Sequence, residues 1–144
     1  MRMKIKSGIQ NLIEWFPIIW KDRQWDQSFL FNIMIKKLSL MEEYFKESND
    51  LMDEDKNDIV EKINDCKIAL EKLDSEEYER LGFSEYYEKY PMPESSNFLA
   101  YINRERTDED NVLYKKCWEL SNKLEKQYFN NFVKNFKYYR KWWD

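Results

Sequence analysis

Ile59-Val60-Glu61-Lys62-Ile63-Asn64-Asp65-Cys66-Lys67-Ile68-Ala69-Leu70-Glu71-Lys72-Leu73 sets Ile59, Ile63, Cys66, Leu70 and Leu73 alternately four and three positions apart. An α-helix returns to the same face every 3.6 residues, so this spacing aligns the five side chains on one stripe, as in a coiled-coil seam. A strand would need alternation at every second residue. The seam permits a dimer but does not require one.

The same periodicity extends outward from this stretch. Upstream, a helix is expected from Asp26, a good N-cap type, to Glu47, with Leu30, Ile33, Met34, Leu38, Met41 and Phe45 as its apolar stripe. An earlier helix reads from Lys4 to Phe16, with Ile5, Ile9, Leu12, Ile13 and Phe16 on one face and Pro17 as its stop. Ser48 to Asp55 is a polar break. Downstream, Asp74 and Glu77 have the spacing of a capping box and Gly82 that of a C-terminal stop, so Ser75 to Leu81 reads as a short helix. Tyr90 to Asn97, with Pro91 and Pro93, reads as a surface loop. Thr107 and Asp110 form another capping-box pattern. The last helix follows, with Leu113, Cys117, Leu120, Leu124, Tyr128, Phe132, Phe136 and Trp143 as its seam, and is expected to exceed thirty residues. No internal repeat is visible, which argues against a solenoid.

Composition points the same way. With two glycines and three prolines in 144 residues, the chain lacks the turn-makers that β-meanders need. At 36% charged and 42% hydrophobic residues it is too apolar for disorder and too charged for a membrane protein. The expected fold is all-α, a compact bundle of three long helices plus one or two short ones in a single domain spanning residues 1–144. Ile9 to Trp20 is too short and too interrupted, by Glu14 and Pro17, to span a bilayer. No signal-peptide pattern follows the basic start, so the chain reads as intracellular. Cys66 and Cys117 fall on apolar helix faces and read as core thiols, with no disulfide or metal site.

Charge is uneven. Residues 1–48, 49–110 and 111–144 carry net charges of +2, −11 and +5. The plainest consequence is an acidic middle lying beside a basic last helix so that the fields cancel. Two sharper uses are open: a carboxylate face that imitates nucleic-acid phosphates, or a basic aromatic helix from Tyr128 to Trp143 that holds single-stranded nucleic acid, with Lys137, Arg140 and Lys141 on the phosphates.

The chemistry available is limited. There is no histidine, which removes the commonest general base and metal ligand, and Gly8 and Gly82 are too far apart to form a phosphate-cradling loop. The enzymatic option that survives is a magnesium site on helix carboxylates, as in helical nucleotide pyrophosphatases, with Glu42, Glu43, Glu47, Glu61 and Asp65 as candidates that depart from that family's motif spacing. No enzyme activity and no cofactor is expected.

Three of the six tryptophans fall between Trp15 and Trp25. Each indole offers a large apolar area and one N–H donor, for which Asp22 and Asp26 are natural acceptors, while Arg23 can fork onto a carboxylate or stack on a ring. This cluster reads either as an interlock between the first two helices, closed by Trp142-Trp143-Asp144, or as a binding pocket. Tryptophan and arginine predominate at interface hot spots, and two indoles flanking an arginine would also sandwich a nucleobase.

The pattern Trp20-x-Asp22-Arg23-x-Trp25-Asp26, followed by a helix with Lys36, Leu38 and Met41 and ending in Trp142-Trp143-Asp144, resembles small proteins encoded in tailed-phage genomes and prophages. That resemblance covers the N-terminal third and the last few residues. It implies a cytoplasmic accessory protein of phage origin that binds, and inhibits, a host macromolecule such as an antiviral defence component. The expected binding residues are Trp20, Asp22, Arg23, Trp25, Asp26, Arg140, Trp142 and Trp143. A single-strand nucleic-acid binder and a nucleotide-sequestering protein are the alternatives.

Overall fold

The computed structural model describes residues 2–21, 28–47, 53–91 and 106–139. These form six helices and, among the described residues, no strand: α1 (Arg2–Ile19), α2 (Ser28–Glu47), α3 (Asp53–Asp74), α4 (Glu77–Gly82), α5 (Ser84–Lys89) and α6 (Asp108–Phe136). The chain is an all-α bundle. Helix α3 is its centre, with α2 along one side and α6 along another; α4 lies across α6, and α5 touches both.

The central seam is filled by this chain's own helices. Ile63 and Cys66 are completely buried, and Ile59, Leu70 and Leu73 nearly so. Leu38, Met41 and Phe45 of α2 meet them, and Phe132 and Phe136 of α6 close the cluster. Each such aliphatic side chain contributes about 1.5–3 kcal/mol by leaving water. A second cluster joins Phe83 and Tyr86 to Cys117, with Leu113, Tyr87 and Tyr90 around it. Both cysteines are free and buried, as their positions on apolar faces predict.

Several boundaries and faces differ from the sequence expectation, each for a local reason. Pro17 does not stop α1: the helix runs on to Ile19, and the Trp20 N–H donates to the Phe16 carbonyl at 2.8 Å. Proline loses its own N–H bond and its ring crowds the carbonyl four residues back, a disturbance a helix survives near its end. Asp74 does not open the short helix; it closes α3. Ser75 and Glu76 then form the turn, with Glu76 left-handed at φ 52°, and α4 begins at Glu77 with no side-chain cap. In α2, Leu30 points outward at 65% exposure, and Phe31 packs on the core instead.

Gly82 does end α4, but the reason is space. No glycine has positive φ. A Cβ on Gly82 would lie 2.6 Å from both Cα and Cβ of Ser121, so α4 and α6 cross there nearly backbone to backbone. That crossing needs small residues, which is why Ser121 is buried and the neighbouring Leu120, expected in the seam, is 44% exposed. The Thr107–Asp110 capping box is present, each residue's backbone N–H donating to the other's side chain at 3.2 Å. Helix α6 ends at Phe136, giving 29 residues rather than more than thirty. Among the described residues no helix is long and apolar enough to cross a membrane.

Candidate functional site

Among the described residues helix α1 packs chiefly on α2 and presents an apolar face to solvent. Positions 9, 12, 13, 16 and 20 fall within roughly 100° of the helix circumference, by the 3.6-residue repeat. Ile9 is 53% exposed, Leu12 and Ile13 68%, Phe16 55% and Trp20 76%. The half-buried positions are Glu14, Trp15 and Ile18, on the opposite side. Thus α1 leans on the molecule through a mixed face and leaves a continuous apolar stripe uncovered.

The stripe ends in an aromatic pair. The Phe16 and Trp20 rings stack with centroids 5.2 Å apart at 30°. Beside them, Pro17, Ile18 and Lys21 of the α1 end face Phe29 and Asn32 of α2 across a hollow of about 430 Å³. Among the described residues its walls combine the apolar Pro17, Ile18 and Phe29 with the Lys21 ammonium and the Asn32 amide, so it offers a partner apolar and polar contact side by side.

Of the eight residues the sequence singles out, Trp20 is described and lies on this surface. Asp22, Arg23, Trp25, Asp26, Arg140, Trp142 and Trp143 lie outside the described residues, as does the expected closure by Trp142-Trp143-Asp144. The wider stripe is legible in the sequence as a helix face. What the sequence does not carry is the direction in which that face points.

The magnesium-site candidates are dispersed in role. Glu42 is buried and accepts hydrogen bonds from Lys46 and Lys67, both at 2.5 Å. The Lys46 bond, then the Lys67 bond, hold its carboxyl below the usual range against the opposing effect of burial. Glu43, Glu47 and Glu61 are exposed, and Asp65 accepts from Asn135 at 3.4 Å. Among the described residues no three His, Cys, Asp or Glu side chains converge in a way that would hold a metal.

Among the described residues Asp110 is the most deeply buried carboxylate. It is 5% exposed and accepts from the Tyr90 hydroxyl, from Lys89 at 3.2 Å and from the Thr107 N–H. Tyr90 foremost, then the Thr107 N–H and Lys89, hold its carboxyl far below the ordinary aspartate value. This network pins the end of α5 to the start of α6 and is structural. Burial pushes the Cys66 thiol up to about 12, so it stays protonated and unreactive.

The aromatic residues of the last helix divide. Tyr128 is buried, with the Lys72 ammonium 5.1 Å from its ring centroid, and Phe132 and Phe136 pack on the core. Phe129 and Trp118 are exposed. Trp118, which stands outside the aromatic segment from Tyr128 to Trp143, lines a second open hollow of about 680 Å³ with Asn122, Lys123 and Lys126. The acidic middle meets α6 through the Lys116–Glu85 pair at 2.7 Å.

No protein-family model matches the chain, and neither a curated protein nor a solved structure matches it.

Proposed function

We propose that the protein is a non-enzymatic binding protein that engages another macromolecule, a protein, through the outward stripe of α1 and the Trp20 corner. The observation that carries this reading is the exposure of Ile9, Leu12, Ile13, Phe16 and Trp20 on one helix face, each more than half open to solvent. An uncovered stripe of that kind costs solubility, and proteins retain one chiefly where a partner covers it. Its anchors at i, i+3, i+4, i+7 and i+11 are the spacing with which a helix enters an apolar groove. Trp20 leads directly into the segment holding Asp22, Arg23, Trp25 and Asp26, so those residues, with Arg140, Trp142 and Trp143, are proposed to extend the contact with polar and cationic groups. The resemblance to phage and prophage proteins supports a host protein as the partner, met in the host cytoplasm, with inhibition of a defence component as the outcome.

The test is capture from host lysate with the full chain and with a Leu12→Ser/Phe16→Ser variant. Both substitutions lie on exposed positions, so circular dichroism and melting temperature should be unchanged. A host protein retained by the parent chain and lost by the variant supports the reading. Identical capture profiles, or none, would overturn it. Arg23→Ala then asks whether the neighbouring segment shares the interface.

A further inference from the structure

The outer face of α6 repeats its chemistry every eleven residues. Lys115, Trp118 and Lys123 are followed at that interval by Lys126, Phe129 and Lys134, and Lys137 begins the pattern a third time. Eleven residues are just over three helical turns, so each equivalent pair lies on the same face about 16.5 Å apart along the axis.

The buried residues fix where this face points. Cys117, Ser121 and Tyr128 mark the inward side of α6. By the 100° step per residue, the five lysines lie roughly opposite them, and Trp118 and Phe129 lie along one flank of the lysine row. All five lysines are exposed, Trp118 is 54% exposed and Phe129 53%. Among the described residues Lys115, Lys123, Lys126, Lys134 and Lys137 form no ion pair, whereas Lys116, outside the pattern, is tied to Glu85. One acidic residue, Glu119, interrupts the row. Asn122 lies between the lysines and the aromatics, and with Gln127, Asn130 and Asn131 it lines the hollow that contains Trp118.

We infer that this face is a binding surface for single-stranded nucleic acid, with phosphates along the lysine row and bases stacked on Trp118 and Phe129. The ligand class follows from pairing two features. A row of ammonium groups alone would take any polyanion, but planar rings held beside it favour a polyanion carrying planar bases that are free to unstack. An acidic peptide satisfies the lysines and leaves both rings uncovered. A duplex satisfies the lysines and keeps its bases to itself. The aromatic groups are not those of the core-facing series Tyr128, Phe132 and Phe136, and the face is on a different helix from the α1 stripe, so variants of one surface leave the other intact.

The experiment is fluorescence anisotropy of the full chain with a labelled oligothymidylate of about 20 nucleotides. With five phosphate contacts, raising salt from 50 to 200 mM should weaken binding about 100-fold. Lys123→Ala/Lys126→Ala should flatten the logarithmic salt slope by about 1.4, two contacts' worth. Trp118→Ala or Phe129→Ala should weaken binding about tenfold with the salt slope unchanged. Trp118→Leu, which keeps apolar bulk but no ring plane, should reproduce that loss in a chain whose circular dichroism is unaltered. Absence of binding at 50 mM salt overturns the inference. So does indifference to both aromatic substitutions, equal affinity for the corresponding duplex, or displacement by polyglutamate as effective as by unlabelled oligonucleotide.

Discussion

Helices α1 and α3 carry the same apolar spacing with opposite fates. Ile9, Leu12, Phe16 and Ile19 are three, four and three apart, as are Ile63, Cys66, Leu70 and Leu73. The α3 set is between 0% and 8% exposed, and the α1 set between 53% and 68%. Periodicity therefore specifies a helix with an apolar face and leaves open whether the chain itself covers that face. Helix α3 is covered because α2 and α6 both reach it; among the described residues α1 packs chiefly on α2.

The contrast can be broken most sharply at its buried end. Ile63→Ala removes a side chain with no exposed surface, leaves a cavity between α2, α3 and α6, and is expected to cost about 3–4 kcal/mol in urea unfolding. A cost below ~1 kcal/mol would mean that the seam is looser than its burial indicates. Gly82→Ala comes next. Its Cβ meets the Ser121 backbone, which cannot swing aside like a side chain, so α4 must shift on α6 at a cost of about 1–3 kcal/mol. Ser121→Gly should recover part of that loss when combined with it, because it removes one of the two clashing Ser121 carbon atoms.

Asp110 tests the buried side of the molecule electrostatically. Its folded pKa lies below its ordinary value of 3.8, so its network contributes fully at pH values above that figure. The contribution is lost as pH falls below it and the carboxyl protonates. Wild-type stability should therefore decline more steeply below about pH 4 than that of Asp110→Asn, which lacks the ionised partner throughout. Parallel pH profiles for the two chains would contradict the assignment. The smallest effect is expected on α1: Leu12→Ala should change stability by no more than about 0.5 kcal/mol, because its side chain is mostly solvated already. A loss comparable to that at Ile63 would show that α1 is packed in solution.

Much of the architecture is legible in the sequence. The α3 seam, the buried cysteines, the Thr107–Asp110 box and the scarcity of turn-makers all express local periodicity or local capping, which depend on residues a few positions apart. The misplacements share a cause: local pattern places Leu30, Leu120, Asp74 and Pro17, whereas each is decided by what lies across from it or by how close it falls to a helix end. The candidate site was legible in the same partial way. Trp20 belongs to a cluster visible in the sequence, whereas the stripe running back to Ile9 gains its meaning only from being uncovered. Trp118 gains its meaning only once Cys117 and Ser121 are known to face inward.

Local sequence specifies that this chain is helical and which residues share a face, and its lack of histidine removes imidazole chemistry. Which faces meet is settled only by tertiary contacts: the α3 seam is enclosed, α4 needs a glycine where it crosses α6, and α1 and the outer side of α6 are left to solvent. Helical periodicity arises from hydrogen bonds four residues apart and is written into any short window. Burial arises from contacts between residues tens of positions apart, and no window that short contains them.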